Sequence, residues 1–192
     1  EFGAGGHSIA RVVSERLGIP YYDRDFAKQA AARSGYSQED IDREGENLSR
    51  SARLLDNILN NSAGYFSSHD AIYQAQKELI LQFAAEQDCI IIGRCADYVL
   101  DGTENLVRLF VYAEIEERIN KVREKGYFPE EDILKNIKRI DRERRDYYRY
   151  YTGKSWENLE NYDLMINTTK LSYDDMVECV VDYLKMRGIL AK

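Results

Sequence analysis

The chain has 192 residues, of which 32% are charged, and its formal net charge at pH 7 is −7. This length suits one domain with its own hydrophobic core. The acidic balance disfavours a general DNA- or RNA-binding protein, and no apolar run approaches the roughly 20 residues that span a bilayer. The three cysteines form no C-x-x-C pair and there are only two histidines, so we predict no zinc site and expect a reduced, cytoplasmic protein.

The first predicted element is a glycine-rich turn that leads directly into a helix. Gly3, Gly5 and Gly6 fall within four positions, and apolar residues at helical spacing follow as far as Leu17. Such a turn presents backbone N–H groups at a helix N-terminus, an arrangement that binds phosphate. We therefore predict that the segment Gly3-Ala4-Gly5-Gly6-His7-Ser8 binds phosphate, with a simple tight connection as the alternative. The phosphate-loop pattern G-x-x-x-x-G-K-[ST] contains a lysine, and Gly6 occupies its place.

The order of the remaining elements predicts the fold class. A phosphate loop normally follows a buried strand, so we expect about ten further residues upstream of the first residue. The other predicted elements are strands over 18–23, 89–94, 106–112 and 162–167 and helices over 25–34, 37–59, 71–86, 115–124, 129–151 and 172–184. Strands that alternate with helices predict a three-layer α/β fold with a parallel sheet of about five strands. We predict a single domain over 1–192, with a helical insertion at 36–70.

Charged residues follow two of the predicted strands. Asp23 and Arg24 come directly after one strand, and Arg94 and Asp97 come after the next. In open α/β sheets, ligands bind beyond the carboxyl ends of the strands. We therefore expect these four residues to lie at one rim of the sheet together with the glycine-rich loop. A structural salt bridge from Arg94 to Asp97 or Asp23 is the competing interpretation.

The helix predicted after residue 129 carries further cations. Four of them share one face by their spacing of i, i+4, i+7 and i+11: Lys138, Arg142, Arg145 and Arg149. Arginine forks suit phosphate, so this helix predicts a lid that closes over a triphosphate. The same run offers the i, i+4 ion pairs Asp141–Arg145 and Arg142–Asp146, and a solvated, self-paired face is the alternative.

Two further features of the sequence receive a structural interpretation. The tyrosines near the end of this helix predict packing and hydrogen bonding, with base stacking as the alternative: Tyr147, Tyr148, Tyr150 and Tyr151. Cys95 has no histidine close to it in the sequence, so we do not expect it to act as a nucleophile.

The motifs together resemble the nucleoside monophosphate kinases, and most closely the cytidylate kinase-like family of P-loop proteins. The resemblance covers nearly the whole chain. It is carried by the segments GAGGHSI (3–9), LGIPYYD (17–23), IGRCAD (92–97), DRERRDYY (141–148) and NYDLMINT (161–168). A loop of the form G-[SA]-G-G without lysine is usual in that family. The resemblance also implies a monophosphate-binding insertion at 36–70 and a lid at 126–155.

The resemblance implies a reaction and a set of site residues. The reaction is transfer of the γ-phosphoryl group of ATP to a nucleoside monophosphate, CMP or dCMP, with Mg²⁺. Gly3 to Ser8 correspond to the loop around the ATP phosphates, with Ser8 also near magnesium; Asp23, Arg24, Arg94 and Asp97 correspond to the acceptor site; Arg142 and Arg145 correspond to the clamp on the transferring group. Because the loop lysine is absent, two alternatives remain. One is a nucleotide-binding regulatory protein without transfer activity, and the other is an interaction protein whose charged helix forms an oligomer interface, such as that of a homodimer.

Overall fold

The structure is a computed structural model, and it describes residues 1–23 and 68–190. In chain order its elements are α1 (Gly6–Leu17), β1 (Tyr21–Tyr22), α2 (Ser68–Glu86), β2 (Ile90–Ile91), α3 (Ala96–Val99), β3 (Leu109–Tyr112), α4 (Ile115–Glu124), a 3₁₀ turn (Glu130–Asp132), α5 (Ile133–Thr152), a second 3₁₀ turn (Leu159–Asn161), β4 (Leu164–Asn167) and α6 (Tyr173–Met186). The helices predicted over 25–34 and 37–59, most of the predicted insertion and Arg24 lie outside the described residues.

The strand pairs of the described residues are parallel. β1 pairs with β2, with Tyr21 opposite Ile90, and β3 pairs with β4, with Leu109 opposite Leu164. Parallel strands that are connected by helices confirm the predicted α/β architecture. The described part of the chain contains four strands in two separate pairs, so the expected total of about five strands stays a prediction.

The strand predicted over 89–94 is shorter than expected. β2 comprises only Ile90 and Ile91, and both residues are half-buried. The strand ends because the chain turns at Gly93, where φ is +72°, and continues through Arg94 and Cys95 with φ of +56° at each. Three successive left-handed residues cannot continue a strand. Within the described residues, β2 is also paired on one side only.

The largest hydrophobic cluster joins α1 to α6 and to β4. Ile9 and Val13 on α1 pack with Val177 and Val180 on α6 and with Ile166 on β4. Ile9 and Val13 are four residues apart, so they lie on one face of the helix. This packing confirms the predicted apolar face of α1, and it fixes the helix that begins at the glycine-rich loop.

A second cluster packs α5 against α4. Ile133 and Ile137 on α5 and Val122 on α4 are almost fully buried, and Phe2 and Phe128 pack against them. Phe2 immediately precedes the glycine-rich loop. The cluster therefore holds the start of the loop beside both helices.

Several helix boundaries agree with the sequence predictions. Helix α4 has the predicted bounds Ile115–Glu124, and the Ser172 hydroxyl accepts the N–H of Asp175 at the start of α6. Helix α5 begins at Ile133, after a 3₁₀ turn, rather than at the predicted Pro129. Helix α2 differs, because it begins at Ser68 rather than at the predicted Ala71. None of the helices in residues 1–23 and 68–190 is both long and apolar enough to cross a membrane.

Candidate active site

The glycine-rich loop ends at a helix N-terminus that no side chain of the described residues caps. Gly5 is the N-cap residue of α1, with φ of +91°. The first hydrogen bond of the helix runs from the N–H of Ile9 to the carbonyl of Gly5 at 3.0 Å. The N–H groups of Gly6, His7 and Ser8 have no acceptor within their own helix, as is general for a first turn. Because the first turn also lacks an acidic side chain, this terminus is complementary to an anion.

The loop is held closely from two sides. Gly3 has φ of +81°, and a Cβ at this position would lie 3.0 Å from Cγ2 of Val122 and 3.1 Å from the carbonyl oxygen of Arg118. On the other side, the hydroxyl of Thr168, just after β4, donates to the carbonyl of Ala4 at 2.9 Å. Gly3 is therefore required both by its backbone conformation and by its contact with α4.

Substitution of Gly3 by alanine tests this contact. We expect Gly3→Ala to lower the free energy of unfolding by about 2–4 kcal/mol, because the positive φ and the steric overlap both oppose a Cβ. Gly18→Ala is the matched control, since Gly18 has φ of +66° and nothing in the described part of the chain lies within 4 Å of its Cβ. The control is expected to lose about 1–2 kcal/mol in urea unfolding. Equal losses in the two variants would contradict the close packing.

A buried ion pair attaches α5 to the start of the loop. Nη1 of Arg118 on α4 donates to Oδ2 of Asp141 on α5 at 2.5 Å. The two side chains are only 9% and 5% exposed. Oδ1 of Asp141 accepts the N–H of Phe2 at 2.8 Å, and Arg118 also donates to the carbonyl of Phe2 at 3.2 Å. Both oxygens of Asp141 are thus used, one by a cation and one by the loop backbone.

The ion pairs predicted within α5 are wrong for the described residues. Asp141 pairs with Arg118 instead, and Nη1 of Arg145 donates to Oε1 of Glu157 at 2.7 Å. Arg142 is exposed and has no charged partner in the part of the chain that the structure describes. The physical reason is that Asp141 lies on the apolar face of α5, where it needs a buried partner rather than a solvated one.

A cleft of about 370 Å³ lies between α4 and α5, next to this ion pair. Its charged lining residues are Glu1, Glu116, Arg118, Lys138, Asp141 and Arg145. The carboxylate of Glu1 accepts the N–H of Ala113, which follows β3, so the cleft lies at the carboxyl end of that strand. Of the two predicted catalytic arginines, the structure places Arg145 in the lining and leaves Arg142 outside it. Lys138 adds a second cation from the same predicted face of α5.

The first turn of α1 also contacts the end of β1. Nε2 of His7 lies 2.6 Å from Oδ2 of Asp23. The imidazole of His7 stands edge-on to the ring of Tyr21, with the centroids 5.6 Å apart. His7 is predicted to belong to the phosphate loop and Asp23 to the acceptor site. The structure brings these two predicted residues together.

The turn after β2 is anchored to α5. The guanidinium carbon of Arg94 lies 5.8 Å from the ring centroid of Tyr147, and the hydroxyl of Tyr148 donates to Oδ2 of Asp97 at 2.6 Å. Consecutive tyrosines of one helix therefore contact both predicted acceptor residues of this turn. Cys95, which lies between them, is buried, and burial raises the pKa of its thiol. A thiol of this kind stays protonated near neutral pH, which agrees with our interpretation that Cys95 is not a nucleophile.

Helix α5 thus contacts both halves of the predicted site. Asp141 binds the backbone of Phe2, and Cζ of Arg144 lies 5.6 Å from the ring centroid of Phe2. Tyr147 and Tyr148 contact the turn after β2. Since an α-helix rises 1.5 Å per residue, Asp141 and Tyr147 are about 9 Å apart along the axis. The glycine-rich loop and the Arg94 turn therefore approach the same helix less than two turns apart.

Comparison with known proteins places the chain in a family. A family profile described as the cytidylate kinase-like family matches residues 1–170. The chain belongs to this family. The resemblance that the motifs predict is confirmed, and membership of the cytidylate kinase-like family supports a phosphotransferase that acts on nucleotides.

Solved structures show that the fold is shared. An uncharacterized protein from Eubacterium ventriosum aligns with a TM-score of 0.69 and 23% identity, over 96% of this chain and 94% of that chain. TT1252 from Thermus thermophilus aligns with a TM-score of 0.55 and 15% identity, over 97% and 93% of the two chains. The search among curated proteins found no match.

The magnesium ion that the cytidylate kinase-like family implies can be compared with the residues present. Residues 1–23 and 68–190 contain no group of three or more His, Cys, Asp or Glu side chains that could hold a metal ion. Ser8, the predicted magnesium contact, is half-buried in the first turn of α1. Mg²⁺ commonly keeps several waters and takes its other ligands from substrate phosphates. An ion that arrives with a nucleotide needs no cage of protein ligands, and the magnesium contact of Ser8 stays a prediction.

Sequence reasoning missed the buried pair of this cytidylate kinase-like chain. Arg118 lies one turn from Val122, and Asp141 lies one turn from Ile137, so both charged residues stand on otherwise apolar helix faces. A charge on an apolar face needs a buried partner of opposite sign. Two such charges on consecutive helices were the signal that could have found the pair.

Proposed function

We propose that this protein transfers the γ-phosphoryl group of ATP to a nucleoside monophosphate, with CMP or dCMP as the acceptor and Mg²⁺ bound to the ATP phosphates. The observation that supports it best is the position of α5, which contacts both Phe2, directly before the glycine-rich loop, and the turn that carries Arg94 and Asp97. The loop suits a polyphosphate, and the turn suits the phosphate of an acceptor. A cytoplasmic location, where ATP is present, is part of this proposal.

The donor half of the proposed site is built on α1 and α5. The N–H groups of Gly6, His7 and Ser8 bind the β- and γ-phosphates, because they are the free donors of an uncapped helix N-terminus. Gly6 brings no positive charge, so the cations of the cleft take over that function. Lys138 and Arg145 are the candidates, since both line the cleft at the carboxyl end of β3.

The acceptor half lies at the ends of β1 and β2. Arg94 binds the monophosphate, and Asp97, whose carboxylate is fixed by Tyr148, contacts the rest of the acceptor nucleotide. Asp23 belongs to this half and is joined to the donor half by its contact with His7, while the role of Arg24, which lies outside the described residues, stays a prediction from the sequence.

The proposed chemistry needs positioning and charge neutralisation more than covalent assistance. An oxygen of the acceptor's 5′-phosphate attacks the γ-phosphorus of ATP. The bond between that phosphorus and the β–γ bridging oxygen breaks, and ADP leaves. Bound Mg²⁺ supplies charge neutralisation at the donor phosphates. The residues of this chain hold the two anions close together and offset their repulsion, for which arginine is well suited.

The test is a nucleotide panel with the purified protein. ADP release is measured with ATP, Mg²⁺ and each of CMP, dCMP, UMP, AMP and GMP, and thermal shifts are recorded with the same nucleotides. We expect turnover with CMP or dCMP. A ligand at 100 times its dissociation constant stabilises the folded state by about 2.7 kcal/mol, which such a scan detects.

The outcomes separate the competing functions. Stabilisation by nucleotides without any ADP release would favour a regulatory nucleotide-binding protein, the alternative that Gly6 supports. The absence of both signals would overturn the kinase and the nucleotide-binding protein together. Turnover with AMP or GMP alone would support phosphoryl transfer from ATP but would show that the acceptor is a purine nucleotide and not CMP or dCMP.

A further inference from the structure

Tyr147 lies between a buried amide and the guanidinium of Arg94. Its hydroxyl donates to Oε1 of Gln76 on α2 at 3.2 Å, and Gln76 is only 3% exposed. The guanidinium carbon of Arg94 lies 5.8 Å from the centroid of the same ring. One end of the ring is therefore fixed by a hydrogen bond, while the ring contacts a cation.

Two further tyrosines confine this ring. The centroid of Tyr147 lies 4.8 Å from that of Tyr151 and 6.5 Å from that of Tyr73. Tyr73 and Tyr151 are stacked on each other at 3.9 Å, so no nucleobase fits between them. Burial raises the pKa of Tyr147, although the charge of Arg94 opposes this shift, and the phenol stays neutral. These contacts favour a structural partner for Arg94 over a base-stacking platform.

Arg94 lies in a turn whose backbone conformation is unfavourable for a residue with a side chain. Gly93, Arg94 and Cys95 all have left-handed conformations, which residues with a Cβ adopt only where the surroundings stabilise them. An arginine side chain has many rotamers, and fixing one of them before a ligand arrives lowers the entropy that binding costs. A rigid ring beside the guanidinium provides such fixation.

We propose that Tyr147 is a positioning residue that holds the Arg94 guanidinium in the orientation that receives the phosphate of the acceptor nucleotide. This inference rests on the proposed function, in which Arg94 binds the monophosphate. Gln76 fixes the phenol, and the phenol ring holds the arginine. When the ring is lost, Arg94 keeps its charge but loses this support of its orientation.

A double-mutant cycle tests this inference. CMP affinity is measured by titration calorimetry for Tyr147→Leu, for Arg94→Ala and for the combined variant, and ATP affinity is measured alongside. We expect Tyr147→Leu to weaken CMP binding about tenfold, between the effects of an exposed and of a fully desolvated cation–π contact, and to leave ATP affinity within about twofold. In the Arg94→Ala background, Tyr147→Leu is expected to change CMP affinity no further.

Two more variants separate positioning from general packing. Tyr147→Phe keeps the ring and loses the hydroxyl, with its hydrogen bonds to Gln76 and to Arg94, so it is expected to restore the part of the CMP affinity that the ring itself provides. Tyr150→Leu is the matched control, because Tyr150 is an exposed tyrosine of the same helix. It is expected to leave CMP affinity unchanged.

Several results would overturn the inference. An equal loss of ATP and CMP affinity in Tyr147→Leu, or a further loss of CMP affinity in the Arg94→Ala background, shows that Tyr147 only supports the fold. CMP binding that fails in the wild type overturns both this inference and the proposed function. CMP binding that follows the expected cycle without any turnover overturns the transfer reaction alone and leaves the positioning of Arg94 standing.

Discussion

Asp141→Asn is expected to lower the free energy of unfolding by about 2–4 kcal/mol, because it leaves the buried guanidinium of Arg118 with only the more distant carboxylate of Glu1, 3.7 Å from its Nε. The side chain of Arg118 is only 9% exposed, so water cannot replace the lost carboxylate. The measurement is urea unfolding at neutral pH, with the midpoint and the slope compared between the variant and the wild type.

Two controls accompany this measurement. Replacing both partners with apolar residues, as Asp141→Leu with Arg118→Met, is expected to recover part of the loss, since both charges of the buried pair are removed together while Phe2 loses its two side-chain hydrogen bonds. Glu15→Gln disrupts an exposed ion pair, in which Oε1 of Glu15 lies 2.8 Å from Nη1 of Arg11. This variant is expected to lower the free energy of unfolding by less than about 1 kcal/mol. A loss below about 1 kcal/mol in Asp141→Asn would mean that the pair is not buried in solution.

Arg145→Ala is expected to reduce kcat by about 100-fold or more, the usual effect of removing a preorganised group that stabilises transition-state charge. This expectation rests on the proposed phosphoryl transfer. It follows from the position of Arg145 in the cleft and from the lack of a cation at Gly6. Arg149→Ala is the control, because Arg149 shares the predicted face of α5 but does not line the cleft.

A second substitution tests whether Arg145 supplies the missing charge. A Cβ at Gly6 would lie 3.7 Å from Cβ of Val111, which is ordinary contact, so a side chain fits there. We expect Gly6→Lys, added to the Arg145→Ala variant, to raise the kcat of that variant about tenfold, since part of the positive charge returns. Gly6→Met has similar length without charge and is expected to restore nothing. If the Arg145→Ala variant retains more than a third of the wild-type kcat, Arg145 does not supply the missing charge.

The sequence predicts the loop and its helix well because their causes are local. Gly3 and Gly5 adopt positive φ, and the apolar spacing from Ile9 to Val13 determines which face of α1 packs on α6. The Ser172 cap is local in the same way. The short β2 was not predictable, because two of the three left-handed residues that end it are Arg94 and Cys95, which carry no glycine signal.

The arrangement of the site depends on packing that the sequence does not contain. Asp141 and Arg118 are 23 positions apart, and their pairing follows from how α4 lies against α5. Arg142 and Arg145 share one predicted face but differ by about 60° around the helix axis. Because of this rotation, Arg145 lines the cleft and Arg142 is exposed to solvent. The sequence could not predict which of the two faces the cleft, because this depends on how α4 and α5 pack together.

The two anchor points of α5 have a consequence for how the nucleotides influence one another. Asp141 joins this helix to the loop of the donor half, and Tyr147 joins it to Arg94 in the acceptor half. We expect that binding in one half shifts this helix and thereby changes the other half. We expect heterotropic linkage, in which ATP raises the affinity for CMP by the same factor by which CMP raises the affinity for ATP, as thermodynamic reciprocity requires.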